Sequence, residues 1–350
     1  MSAHPVLHAV CPPAHRFWRC AQWSPDGTLL LARAESHTLH IFLVAEKRLE
    51  LLRTYRSPTP VLDTQWYMYP AASEDGDVHW CFAVSSRDVP VRLVDARTST
   101  TKATFAMVNH VEDYIAPTSL AFSKDGARVL DLAPSQESAG IGQCGIISAL
   151  APGWAPRVFD EENDGQPLEI LAVGTFSGTI GLYVTDAHWL ANMTEVRYDA
   201  YGNPPRHGAS EVVPGHRMCL AGWQLAEGKG ITQLAWHPTQ RNVLVVSARR
   251  SSCLYVYDTS YLYGTSIPFS FERRSAEDPA LLAKLPRPAA DTHQRFWFDL
   301  DEAGDYLVTG DENGTIHVWS WDAILQPTSD AIGSAQFRPG NARMLANTEK

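Results

Sequence analysis

Arginine and aromatic residues recur together along this chain. Arg16-Phe17-Trp18-Arg19 stand near its start, Arg87 lies in a short polar turn, Arg249-Arg250 follow an apolar run, and Arg295 precedes Phe-Trp. These residue types suit single-stranded nucleic acid, because aromatic rings stack on unpaired bases while guanidinium groups hold phosphates and also stack. The plainer reading is that the arginines are solvated and that Phe17 and Trp18 pack inside the fold. Other chemistry finds no footing. The chain has no G-x-S-x-G, P-loop or H-E-x-x-H pattern. Gly174-Thr-Phe-Ser-Gly178 has the wrong spacing for a nucleophile elbow. We therefore expect no catalytic residue, no cofactor and no enzyme. The 13 histidines occur singly, so no metal site is expected either. His110, His216 and His293 precede apolar runs, where an imidazole serves a structural hydrogen-bond network with a Ser or Thr and an Asp.

The net charge is −10 and the pI about 5.7. Such a surface repels phosphate backbones as a whole, so nucleic-acid binding needs a local basic or aromatic patch. None of the six cysteines lies in a C-x-x-C pair, and several sit in apolar runs. Buried free thiols in a reducing compartment account for them better than disulfides or zinc. No leader of secretory type is visible, and no apolar stretch reaches the roughly 20 residues that cross a bilayer. A soluble intracellular protein with no membrane partner is expected.

The elements that position the arginines come from a recurring module: an apolar strand, a turn, a second apolar strand and a third after a polar turn. Clear copies begin at Cys20-Ala-Gln-Trp-Ser-Pro-Asp-Gly27, Gly230-Ile-Thr-Gln-Leu-Ala-Trp-His-Pro238 and Phe296-Trp-Phe-Asp-Leu-Asp-Glu-Ala-Gly304. Pro presets φ and Gly supplies positive φ in their turns. In Gly310-Asp-Glu-Asn-Gly-Thr-Ile-His-Val-Trp319, the Asn-Gly pair favours a tight hairpin, and Trp319 stands where WD repeats place their terminal Trp. Weaker copies start at Val61, Ser119, Gly145 and Ile332. Seven first strands imply an all-β, seven-bladed WD40 propeller spanning 1–350 as one domain. The unfinished last blade would take Val6–Val10 as its closing strand. Residues 186–229 are polar and aperiodic and are read as a surface insertion between the fourth and fifth blades. Only about 27 residues separate Ser119 from Ile146, where a blade takes about 40–45, so the third blade is shortened. In a propeller, the loops before first strands and those joining second to third strands emerge on one face. Arg16, Phe17, Trp18, Arg19, Arg87, Arg249, Arg250 and Arg295 all fall in such loops.

Several stretches resemble the telomerase Cajal body protein family: Ser85-Ser-Arg-Asp-Val-Pro-Val-Arg-Leu-Val-Asp95, Asn109-His110, Ser119-Leu-Ala-Phe-Ser-Lys-Asp-Gly126, Gly145-Ile-Ile-Ser148, Gly174-Thr-Phe-Ser-Gly-Thr-Ile-Gly-Leu-Tyr183 and Gln294-Arg-Phe-Trp-Phe-Asp-Leu-Asp301. They occur in the family's order, and the resemblance runs from about Phe17 to Ala346. It implies a nuclear WD40 scaffold, monomeric, that binds small nuclear RNA of the Cajal-body or telomerase type and assists ribonucleoprotein localisation or assembly with protein partners. Fungal relatives are also linked to mRNA splicing. The alternative is a protein-only interaction scaffold, and the acidic pI favours it.

Overall fold

In the computed structural model, the described residues are 18–35, 37–45, 48–67, 71–72, 78–107, 114, 116–124, 126, 129–130, 143, 145–157, 165–185, 219–227, 229–262, 271, 273, 278–288, 292–313 and 315–325. The chain divides into two compact units. One comprises 1–132, 309–318 and 332–350; the other comprises 133–308 and 319–331.

The first blade is the antiparallel sheet β1 (Trp18–Trp23), β2 (Leu29–Ala34), β3 (Thr38–Ala45) and β4 (Arg48–Arg56). In the second blade β5 (Val61–Trp66) is followed in the chain by a small hairpin, β6 (Ala71–Ala72) with β7 (Val78–His79). The sheet is then completed by β8 (Cys81–Ser86), β9 (Val91–Asp95) and β10 (Thr101–Phe105). A two-stranded ladder, β11 (Ala121–Phe122) with β12 (Val129–Leu130), comes next. The third blade is β13 (Ile147–Trp154), β14 (Glu169–Thr175), β15 (Thr179–Val184) and β16 (Cys219–Gln224). The fourth is β17 (Ile231–Trp236), β18 (Val243–Ala248), β19 (Cys253–Asp258) and β20 (Leu281–Pro286). The fifth has three strands, β21 (Phe298–Leu300), β22 (Tyr306–Gly310) and β23 (Ile316–Ser320), and is followed by a short helix, Trp321–Leu325.

Among the described residues the fold is thus all-β and of the WD40 propeller type, with five blades rather than the seven expected. A first-strand motif makes a blade only when further strands follow it. The copy beginning at Ser119 is too short for that and yields the two-stranded ladder, which has little face to bury. The copy beginning at Ile332 and the closing strand Val6–Val10 lie outside the described residues. Part of the stretch read as an insertion, 186–229, supplies β16, the outer strand of the third blade.

The second strands of the four-stranded blades are buried on both faces. β2 reads Leu-Leu-Leu-Ala-Arg-Ala and is buried throughout, as are β8, β14 and β18. Such strands lose the alternating pattern and read as continuous apolar runs. In the first unit Leu29, Leu31, Ile41, Tyr55, Trp66, Phe82 and Val84 form one core. In the second, Ile180, Leu182, Trp223, Ile231, Leu244, Val246 and Tyr255 form another.

Each four-stranded blade carries the same irregularity. The pairing register shifts between Trp18 and Cys20, Val61 and Asp63, Ile147 and Ala149, and Ile231 and Gln233. The skipped residue at each bulge meets a neighbouring blade in two cases: Arg33 Nη1 donates to Leu62 O at 2.7 Å, and Ser148 Oγ donates to Ile231 O at 2.6 Å. A second contact repeats at the other end of the first strands. Trp66 Nε1 donates to Gln22 O at 3.0 Å, and Trp236 Nε1 donates to Ala151 O at 2.9 Å. Both tryptophans stand five residues after the first paired residue of their strand, and both carbonyls stand four after it in the preceding blade.

His237 locks the fourth blade to the fifth. Its Nδ1 accepts from the Thr239 and Gln240 N–H groups at 3.3 and 3.2 Å, which leaves the proton on Nε2 to donate to Gly304 O at 3.0 Å. The ring also meets Trp321, with centroids 4.2 Å apart. Burial lowers the His237 pKa below its usual 6.5, although the Gly304 carbonyl and the Asp301 and Asp305 carboxylates oppose it. The unfolded chain therefore binds the extra proton first, so this contribution is whole above about pH 6.5 and is lost as the pH falls below it. Thermal unfolding should show the wild type losing more stability than His237→Gln between pH 7.5 and pH 5.5. Parallel losses would sink this account of the ring.

Candidate functional site

The second unit gathers arginines and aromatic rings at one end of its third and fourth blades and at the entry to β21. The turn Thr175–Gly178 joins β14 to β15 and holds Phe176 at its tip. Gly178 takes φ 86° and donates to Thr175 O at 3.1 Å. The Thr175 hydroxyl lies 2.7 Å from both the Ser177 and Thr179 hydroxyls. These bonds fix the turn, yet Phe176 remains 41% exposed, beside an Ile146 that is 59% exposed and accepts the Phe176 N–H at 2.9 Å. Gly230, the residue before β17, presses on this turn. A Cβ there would come within 2.7 Å of Phe176 Cα and O, so the close approach requires glycine.

Arg249 follows β18. Its N–H donates to Gly230 O at 2.9 Å, and its guanidinium lies 5.0 Å from the Phe176 ring centroid. Arg250 is exposed in the left-handed conformation (φ 51°) and donates its N–H to Thr292 O at 3.0 Å. Arg295 is half-buried, 4.0 Å from the Trp297 centroid. Arg287, just after β20, is 1% exposed. It reaches Ser247 Oγ at 3.4 Å and lies 5.5 Å from the Phe296 centroid. Three guanidinium groups thus rest on three rings. Each pair contributes about 0.5–2 kcal/mol, depending on its desolvation, and fixes a cation and an aromatic face together.

The other expected residues distribute differently. Trp18 packs edge-on against His40 and Phe42 at 5.2 and 6.1 Å, within the cluster of Leu30, Ala32 and Phe42, which is the plainer reading for that ring. Arg19 is exposed at the bulge of β1. Arg87 is exposed in the β8–β9 turn, its carbonyl accepting from Thr59 Oγ1 at 2.6 Å. Both belong to the first unit. Arg16, Phe17, His110 and His216 lie outside the described residues. His293 is exposed before β21. Among the described residues, imidazole–carboxylate pairs form between His79 Nδ1 and Asp95 Oδ2 at 2.7 Å and between His317 Nε2 and Asp311 Oδ2 at 2.9 Å. Trp319 packs half-buried against the cluster of Val243, Val245, Phe298 and Leu307.

Phe176, Arg287, Phe296 and Trp297 were missed as site residues. The signal for Phe176 was an apolar residue inside a Thr-Ser-Gly turn, where burial is hard to achieve. Among the described residues, no group of three His, Cys, Asp or Glu side chains could hold a metal ion. Cys20, Cys81, Cys219 and Cys253 are free thiols. Burial pushes Cys81 and Cys219 up to about 11, so neither is a ready nucleophile at neutral pH.

Residues 296–320, which span the strands of the fifth blade, match the family model "WD domain, G-beta repeat". Telomerase Cajal body protein 1 of Mesocricetus auratus is 27% identical over 335 residues, covering 87% of this chain and 51% of that protein. The human protein of that name is 26% identical over 336 residues, covering 87% and 50%. The chain is similar over most of its length to proteins named telomerase Cajal body protein 1, and its residues 296–320 match one WD repeat. It spans about half the length of these curated relatives. The guanine nucleotide-binding protein negative regulator 1 of Schizosaccharomyces pombe is 24% identical over 345 residues, covering 89% of this chain and 72% of the relative. A chain in a crystal structure of the mitotic checkpoint complex superposes with a TM-score of 0.52 at 15% identity, covering 89% and 76% of the two chains. That likeness concerns the fold alone.

Proposed function

We propose that this chain is a non-catalytic nuclear scaffold that binds small nuclear RNA of the Cajal-body or telomerase class and assists ribonucleoprotein localisation or assembly. One observation carries the reading. On a chain of net charge −10, one end of the second unit concentrates Arg249, Arg250, Arg287 and Arg295 beside Phe176, Phe296 and Trp297. The exposed Phe176 and Arg250 supply a ring and a cation that solvent can reach, and the paired arginines add positive potential behind them. The relatives' names point to telomerase and the Cajal body as the setting.

Replacing Arg249 and Arg250 together by Glu is expected to weaken small nuclear RNA binding by about 1–3 kcal/mol, and to leave the residual binding less sensitive to salt. Losing the Arg249–Phe176 contact costs up to about 1 kcal/mol, so the melting temperature should move by no more than about 4 °C. Arg157→Glu, exposed beyond the far end of β13, should bind RNA as the wild type does. Filter binding across a salt series reads all three proteins. Equal losses for both reversals, or no RNA bound by the wild type, would favour a protein-only scaffold, the reading that the acidic surface suits.

A further inference from the structure

One register position recurs in the four-stranded blades. It is the second-strand residue that pairs just after the first-strand bulge: Arg33 with Cys20, Ser85 with Asp63, Gly174 with Ala149 and Ser247 with Gln233. The packing there is tight. A Cβ on Gly174 would come within 2.5 Å of the Ile231 side chain, which belongs to the next blade. Ser85 and Ser247 have no exposed surface, and Ser85 Oγ donates to Pro117 O at 2.6 Å. Small residues therefore satisfy the fold at this position. The first blade places an arginine there instead, and it is 6% exposed.

Bridging the blades uses one corner of that side chain. Arg33 Nη1 donates to Leu62 O in the second blade at 2.7 Å, the counterpart of the Ser85 bond. Nε is buried without a hydrogen-bond partner. Nε and Nη2 together form the side edge of a guanidinium, which grips an oxyanion through two parallel N–H bonds. Arginines this buried are paired as a rule. Among the described residues no carboxylate forms an ion pair with Arg33, Glu35 and Asp88 of the adjoining turns included. Two more arginines, both exposed, stand at the same end of these blades. Arg19 is the residue skipped at the bulge before Cys20, and Arg87 donates its N–H to Pro60 O at 3.1 Å, two residues before Leu62. We propose that Arg33, between the first and second blades, is an oxyanion-binding site that takes a phosphate group, as the free ion or as a monoester. Three guanidinium groups at one end suit a group of charge near −2. A diester within a nucleic-acid strand carries a sugar on either side, whereas a monoester presents a bare face to a guanidinium that is almost wholly buried. The site lies within the first unit and does not rest on the RNA reading.

The test is thermal unfolding of the full chain at neutral pH with inorganic phosphate or O-phosphoserine, against sodium chloride of matched ionic strength. At about ten times its Kd, a bound ligand should raise the wild-type melting temperature by about 3–6 °C beyond the chloride control. A rise with inorganic phosphate alone identifies the free ion as the ligand; a rise with both admits the monoester. Arg33→Ser carries the residue that the second and fourth blades place at this position, so it should fold and show no such rise. Arg33→Lys keeps the charge without the fork and should lose most of the rise. The protein with Arg249→Glu and Arg250→Glu should keep all of it, so failure of the RNA reading would leave this one standing. No rise in the wild type, or equal rises in the wild type and Arg33→Ser, would overturn the proposal. So would an equal rise with acetate or with an oligouridylate lacking terminal phosphates, because the group bound would then be a carboxylate or a diester.

Discussion

Trp66→Ala is expected to lower stability by about 3–5 kcal/mol, a large share of the roughly 5–15 kcal/mol that holds a typical domain. The ring is 4% exposed and meets Phe82 edge-on at 5.8 Å, so its removal opens a cavity in the core shared by the first two blades. Its Nε1–H also donates to Gln22 O at 3.0 Å across that boundary. Trp66→Phe separates the two effects. It keeps most of the apolar ring and leaves the Gln22 carbonyl without this donor, at a cost of about 1–3 kcal/mol. Trp236 makes the equivalent bond to Ala151 O at 2.9 Å and lies over Gly153, where a Cβ would meet the indole at 2.5 Å. Denaturant unfolding of these variants measures the repeat directly. A Trp66→Ala cost below about 1 kcal/mol, the level of an ordinary surface change, would mean that this contact does not hold the blades together.

Asp95→Ala should cost about 3 kcal/mol, because it leaves donors in the blade without their acceptor. The carboxylate has no exposed surface. Its Oδ1 accepts from the Arg97 and Thr98 N–H groups at 2.8 and 2.9 Å; its Oδ2 meets His79 Nδ1 at 2.7 Å and Lys102 Nζ at 3.6 Å. Burial by itself raises the Asp95 pKa. The bonds from Thr98, His79 and Arg97 outweigh it and hold the group below its ordinary 3.8. The unfolded chain then takes up the proton first, so the contribution is complete above about pH 3.8 and is lost as the pH falls through the folded value. Asp26 follows the same logic. Burial opposes, but its bonds with Ser24 and Thr28 bring it down to about 2. Acid unfolding should therefore be steeper in the wild type than in Asp95→Ala. Superimposable acid limbs for the two proteins would remove Asp95 from this role.

The module was legible because its chemistry is local. Trp23, Trp66 and Trp236 mark first-strand ends, and the Asp-Gly and Ala-Gly turns that carry Gly27 and Gly304 at positive φ mark the crossings to second strands. The outer strands were not legible. β4, β10 and β20 are half-exposed and mixed in character, and β16 follows a long polar stretch, so neither an apolar run nor clean alternation announces them. The blade count went astray at Ser119–Gly126, whose first strand looks ordinary while the strands that must follow do not fit before Ile146. Within the site, Arg249, Arg250 and Arg295 could be picked out because loop position follows from strand order. The rings beneath them could not, since Phe176 and Phe296 meet arginines from other blades and such pairing is tertiary.

The central claim is that RNA meets the arginine–aromatic end of the second unit. Ultraviolet crosslinking in cells, with sequencing of the attached RNA and mass spectrometry of the attached peptides, tests it most directly. The account predicts small nuclear RNA joined to peptides containing Phe176, Arg249–Arg250 or Arg295–Trp297. Crosslinks confined to other surfaces, or none above background, would contradict it.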